Sequence, residues 1–136
     1  MIDVAARTFT RAEAQSLVPV LNKLFSEART VVEELLARRH DVVAVDASGA
    51  AIVDEESAFR MDQLRTLLQA RLRIVDALGV EVRRVDGLVD IPAWIDGEQG
   101  YFCWQYGESE VSRWHRATED CSDRRALDPD LSIGLH

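Results

Sequence analysis

Cysteine is scarce in this chain: Cys103 and Cys121 are its only two among 136 residues. Two cysteines do not make a disulfide framework, and a reducing cytoplasm is the default expectation for such a chain. A Cys103–Cys121 bridge stays open at this point. Basic charge is also short. Sixteen lysines and arginines face 24 acidic residues, for a formal net charge of −8. Nucleic-acid binding depends on neutralising phosphates, so no nucleic-acid partner is expected. The runs Arg38-Arg39-His40 and Arg124-Arg125 are too small to build a basic face. No apolar run approaches the roughly 20 residues that cross a bilayer. The opening "MIDVAARTFTRAEAQ" lacks the basic-then-apolar order of an export signal. These absences predict a cytoplasmic protein with no membrane partner. Glycine-rich phosphate loops, Ser/His/Asp arrangements and dinucleotide fingerprints are missing, as are Cys-x-x-Cys, His-x-x-x-His and His-Glu-x-x-His. No internal repeat or low-complexity segment is present.

What is there suits one domain over 1–136. Hydrophobic residues make up 47% and charged residues 29%, a balance that buries a core without staples. A helix is predicted over 11–40, opened by a capping box of Thr10 and Glu13. Leu17, Leu21, Leu24, Ala28, Val31 and Leu35 repeat at alternating spacings of four and three. Val18, Phe25, Val32 and Leu36 widen the stripe to that of a globular bundle. Pro19 removes a backbone donor, so the helix is expected either to kink near Ser16 or to begin in earnest near Pro19. Residues 41–53 hold β-branched residues around Asp46-Ala47-Ser48-Gly49, and a small β-hairpin and an irregular loop fit equally. A second helix is predicted over 54–78, capped by Asp54 and stopped by Gly79. Its stripe is Met61, Leu64, Leu67, Leu68, Ile74, Val75 and Leu78. A helix of that length spans about 37 Å, and two of them carry more apolar face than one small β unit covers. A homodimer that pairs the helical hairpins is therefore expected.

The clearest local signal is a β-hairpin over 88–105 around Asp96-Gly97, a two-residue turn in which both residues need positive φ. Alternation puts Val89, Ile91, Ala93, Ile95, Phe102 and Trp104 on one face, against the helices. Asp90, Pro92, Trp94, Tyr101, Cys103 and Gln105 take the other face, with Asp90 directly across from Cys103 if the turn has two residues. A short helix over 108–116 is predicted next, with Glu108, Val111 and His115 on one side. The remainder, 117–136, reads as an irregular surface tail that drapes over the hairpin.

Asp90, Cys103, Glu108, His115 and Glu119 converge, on this reading, where the hairpin meets the short helix. Cys121 and Asp120 are possible substitutes. Thiolate, imidazole and carboxylates are credible ligands for zinc or another divalent first-row metal. Eleven intervening residues between Cys103 and His115 match no common zinc module, however. The plainer account is equally simple: Glu108 in a first turn and His115 in a last turn complement the helix dipole, and Cys103 is a small strand residue. Cys103 activated by His115, with Asp90 or Glu119 as orienter, satisfies thiol-activation logic, yet no oxyanion hole announces itself. Trp94, Tyr101 and Trp114, if on the outer face and partly exposed, offer a surface for a protein partner or a ligand, whereas Phe102 and Trp104 belong to the core.

The chain resembles domain of unknown function family 2203, an uncharacterised bacterial family. Phe9-Thr10 with Glu13 matches its Phe-Thr helix start, and Gly87-Leu88-Val89-Asp90-Ile91-Pro92 matches its Gly-Leu-Val-Asp-Phe-Pro. Asp96-Gly97, Cys103-Trp104, Gly107-Glu108 and Trp114-His115 follow in the family's order, so the likeness runs from about Phe9 to about Leu127. One departure stands out. Where the family has Gly-Phe-Ala-Gly-Arg, this chain has Asp120-Cys121-Ser122-Asp123-Arg124. The resemblance implies no activity, but it draws attention to Asp90, Cys103, Glu108, His115 and Glu119. The fold class expected is α+β, a long antiparallel helical hairpin on a β-hairpin with a short C-terminal helix. Two functions remain: a non-enzymatic dimeric interaction or scaffold module, and a small divalent-metal- or ligand-binding protein using the hairpin's polar face.

Overall fold

The structure, a computed structural model, describes residues 7–134. The outermost ends of the predicted domain, including the first six residues of the segment read for an export signal, lie outside the described residues. Helix α1 spans Arg11–Ala37 and leads through a 3-10 turn at Arg38–Asp41 into β1 (Val42–Val45) and β2 (Ala51–Val53). Helix α2 spans Glu55–Ala77. Five strands follow: β3 (Glu81–Arg84), β4 (Leu88–Ile95), β5 (Glu98–Gln105), β6 (Arg113–Arg116) and β7 (Arg125–Ala126). They form an antiparallel sheet in chain order, while β1 and β2 pair separately. The class is α+β, as expected.

Local chemistry accounts for the helix ends. Glu13 N–H donates to Thr10 Oγ1 at 3.1 Å and Thr10 N–H donates to Glu13 Oε1 at 2.9 Å, closing the capping box. Pro19 lies inside α1, and the helix begins at Arg11 rather than at the proline. Asp54 caps α2 by accepting from Ser57 N–H at 2.8 Å, and Gly79, at φ 90°, stops it. Between the helices, the hairpin alternative for 41–53 is the one adopted. Asp46 organises its turn by accepting from the N–H groups of Ser48 and Ala50.

The Asp96-Gly97 turn has φ of 52° and 80°, the left-handed pair that sets a two-residue register. Asp90 therefore faces Cys103 and Ile91 faces Phe102. Val89, Ile91, Ala93, Ile95, Phe102 and Trp104 are all fully buried against α1 and α2. Phe25 of α1 packs its ring 6.3 Å from that of Trp104. Burial by α1 ends at Ala28, so the distal part of the helix pair, with β1 and β2 at its tip, buries little beyond Leu64 and Ser57.

Three sequence expectations need correction. The segment 108–116 is not a helix but a tight turn and strand β6. Its backbone groups are committed elsewhere: Glu108 takes the Gln105 N–H on its carboxylate at 2.6 Å and the Trp104 indole N–H on its carbonyl at 3.0 Å. Gln15 of α1 then clamps the Ser109 carbonyl and the Val111 N–H, each at 2.9 Å. A helix here would forfeit all four bonds. Strand geometry also sends Trp114 and His115 to opposite faces. Trp114 pairs with Phe102 and is core, not outer surface, and His115 pairs with Tyr101. The tail does drape over the hairpin, but it is more regular than expected. It adds a 3-10 turn at Cys121–Asp123, strand β7, and a bridge from Ile133 to Ile95.

Candidate functional site

The sheet face away from the helices carries a buried polar cluster. Register places Asp90 of β4 between Glu81 of β3 and Cys103 of β5, and His115 of β6 beside Tyr101. Asp90, Cys103 and His115 are each 1% exposed. A bulge between Val82 and Arg84 re-aims Arg83 over this face. Gly100 lets β6 come close, since a Cβ there would sit 2.9 Å from the His115 carbonyl oxygen. From the tail, the 3-10 turn delivers Cys121, which is bonded to Cys103 as a disulfide with Cα atoms 6.1 Å apart, within the span such bridges tolerate.

Hydrogen bonding fixes the protonation of the pair at the centre. His115 Nδ1 lies 2.7 Å from the Arg116 carbonyl oxygen and Nε2 lies 2.8 Å from Asp90 Oδ1. A carbonyl only accepts, so Nδ1 carries a hydrogen. One more proton must then lie between Nε2 and Oδ1, because two lone pairs would otherwise meet. Asp90 Oδ2 accepts from Arg83 Nε at 2.7 Å, so the carboxyl is held from both sides. The same Asp90 bond raises the Arg83 guanidinium above its ordinary pKa. Burial first, and the neighbouring Glu81 second, push the Tyr101 phenol upward. Asp90 Oδ1 also lies 3.1 Å from Cys121 Sγ, and the Arg124 guanidinium lies 3.7 Å from Cys103 Sγ.

A cleft of about 410 Å³ opens onto this cluster, walled by Arg83, Leu88, Asp90, Ala117, Glu119, Asp120, Cys121 and Ser122. Cys121 is half-buried and reaches it; Cys103 lies behind. Of the five residues singled out from sequence, Asp90, Cys103 and His115 come together. Glu108 is spent on the β5–β6 turn. Glu119 lines the cleft but grips the Arg116 N–H and the Arg125 guanidinium, and those bonds, the backbone one foremost, hold its carboxyl below the usual range. Two participants escaped the sequence reading. Arg83 depends on a bulge that no residue pattern announces, and Arg124 on a fold of the tail that was read as irregular. Cys121 was visible as a substitute ligand and as one half of a bridge left open, and the bridge is what forms.

No helix among the described residues is long and apolar enough to cross a membrane. No curated protein and no solved structure matches the chain. The family model described as "Uncharacterized conserved protein (DUF2203)" matches residues 7–127. That span covers the helices, the sheet and every residue of the cluster, and the chain belongs to this family of uncharacterised proteins.

Proposed function

We propose that Cys103 and Cys121 form a redox-active pair that exchanges electrons with thiols through the cleft. The observation that carries this reading is the disulfide's setting: one sulfur half-exposed in a cleft, the other buried beside a guanidinium. An incoming thiolate attacks Cys121 Sγ, the Cys103–Cys121 bond breaks, and Cys103 leaves as a thiolate facing Arg124. A second thiolate then attacks the partner sulfur of the mixed disulfide. The partner departs as its own disulfide and Cys121 Sγ is released, to take a proton from solvent or from the Asp90–His115 pair. Two thiols are oxidised and one disulfide is reduced. The Arg124 guanidinium beside the leaving sulfur stabilises the reduced state, which makes the bridge more oxidising than a structural one.

Equilibration with glutathione buffers tests the reading. The expected reduction potential lies above about −300 mV, the region below which structural disulfides fall. Arg124→Ala should lower it, with about 30 mV for each tenfold loss of reduced-state stabilisation. In single variants the two thiols should differ: Cys121 left by Cys103→Ser should react quickly with a thiol reagent, and Cys103 left by Cys121→Ser slowly. A bridge that resists excess thiol in the native state would sink the proposal.

A second reading has its own support, that of a dimeric interaction module. Helix α2 has two apolar stripes. Leu64 and Val75 are buried on one, whereas Phe59, Leu67 and Ile74, spaced eight and seven apart on the other, are 66%, 42% and 44% exposed. Val20 of α1 flanks the same groove as Ile74. A second copy of this chain, laying its own stripe there, would cover both. Light scattering at micromolar concentration should give twice the chain mass, and Leu67→Glu should halve it. A monomeric native chain removes the reading.

A further inference from the structure

We infer that the reduced site is a divalent-metal centre of the zinc type, with Asp90, Cys103, Cys121 and His115 as its donors, emptied when the disulfide closes. The inference rests on the proposed redox reading in one respect only, that the bridge can be opened in the native protein. The carboxylate and the two sulfurs already lie within 4.8 Å of one another. His115 Nε2 points at the same oxygen, Oδ1 of Asp90, at 2.8 Å. Its other nitrogen donates to the Arg116 carbonyl, the arrangement by which a metal-bound imidazole is held in one tautomer and aimed. Two thiolates, one imidazole and one carboxylate form a four-donor set suited to tetrahedral zinc.

Charge is the obvious objection, since Arg83 and Arg124 border the site. Counting protons answers it. A dication entering here displaces two of them, the one on Cys121 and the one shared by His115 and Asp90, since Cys103 already stands as a thiolate facing Arg124. The formal charge of the site is therefore unchanged when metal binds, and the arginines meet no added positive charge. Arg83 stays on Oδ2 and Arg124 on a thiolate, as outer donors. Closing the disulfide removes two electrons, by transfer to a disulfide or peroxide oxidant. It converts both thiolates into a bridge that no longer ligates, and the metal leaves.

The test uses the full chain without a histidine tag. After reduction with a dithiol and its removal under anaerobic conditions, free thiols are counted, zinc is added, and uptake is measured against a chromophoric chelator. Two thiols, one zinc per reduced chain, proton release on binding, and no zinc on the same chain reoxidised are expected. Cys121→Ser and His115→Ala should each lose stoichiometric uptake, and the oxidised native chain serves as a folded control. Two free thiols without zinc uptake overturn the metal inference and leave the redox reading standing. No free thiols after reduction overturn both.

Discussion

The Asp90–His115 pair offers the sharpest test of how the site is built, through a double-mutant cycle. Removing Asp90 by alanine leaves His115 Nε2 without its partner at a position 1% exposed. It also strips Arg83 of its 2.7 Å partner. Breaking a buried pair from one side costs about 3–5 kcal/mol. With 136 residues and an unfolding entropy of about 2.1 cal/mol/K per residue, that loss lowers the melting temperature by roughly 10–17 °C. Histidine 115 replaced by alanine leaves Asp90 still paired with Arg83, and the cost should be smaller. The double variant should then be less damaged than the two singles added together, with a coupling of roughly 2 kcal/mol. Urea unfolding of all four chains, with the disulfide intact throughout, supplies the numbers. A coupling under about 0.5 kcal/mol would mean that the 2.8 Å contact does not carry the shared proton assigned to it.

Other expectations follow from the same geometry. The bridge closes a loop with a sequence separation of 18, so reducing it should cost about 3 kcal/mol on the chain-entropy account, read as a shift in urea midpoint. Gly100→Ala would press a methyl against the His115 carbonyl oxygen 2.9 Å away. It should destabilise by about 1–3 kcal/mol and alter the reactivity of Cys121 by displacing β6; an unchanged crystal or NMR signature of His115 would refute this. Glu119 has its carboxyl held below its ordinary value of 4.5. Its contribution is therefore present above that pH and fades as pH falls through the lower folded value. Glu119→Gln should flatten that part of the acid stability curve, and a parallel curve would disprove the assignment.

The sheet centre was legible because its signals were redundant. Asp96-Gly97 demanded a particular turn, the turn fixed the register, and alternation then sorted Asp90 and Cys103 away from Ile91 and Phe102. Helix ends were legible for the same reason, since Thr10, Asp54 and Gly79 each carry a cap by their own chemistry. Segment 108–116 misled because Glu108, Val111 and His115, at spacings of three and four, mimicked a helical face. The decisive bonds there come from Gln15, far away in sequence, and from Glu108 turning back on Gln105. Strand β3 carries too few residues to show a period, and its Arg83 is aimed by a bulge. The pairing of Cys103 with Cys121 depends on where the tail folds, which no spacing of 18 residues dictates.

The site has two layers that can be separated. Asp90, His115 and Arg83 are set by strands β3, β4 and β6 and by a bulge, and they would persist if the tail turn carried no sulfur. Cys121 arrives on the 3-10 turn, at the position where the family resemblance expects phenylalanine. The buried proton pair therefore belongs to the architecture, and the disulfide to this particular tail. It follows that Cys103 beside Arg124 need not be a structural thiol: its neighbours stabilise a thiolate whether or not a second cysteine stands opposite. Redox exchange through the cleft then reads as one use of a pre-existing polar pocket, made possible by a single residue in the tail.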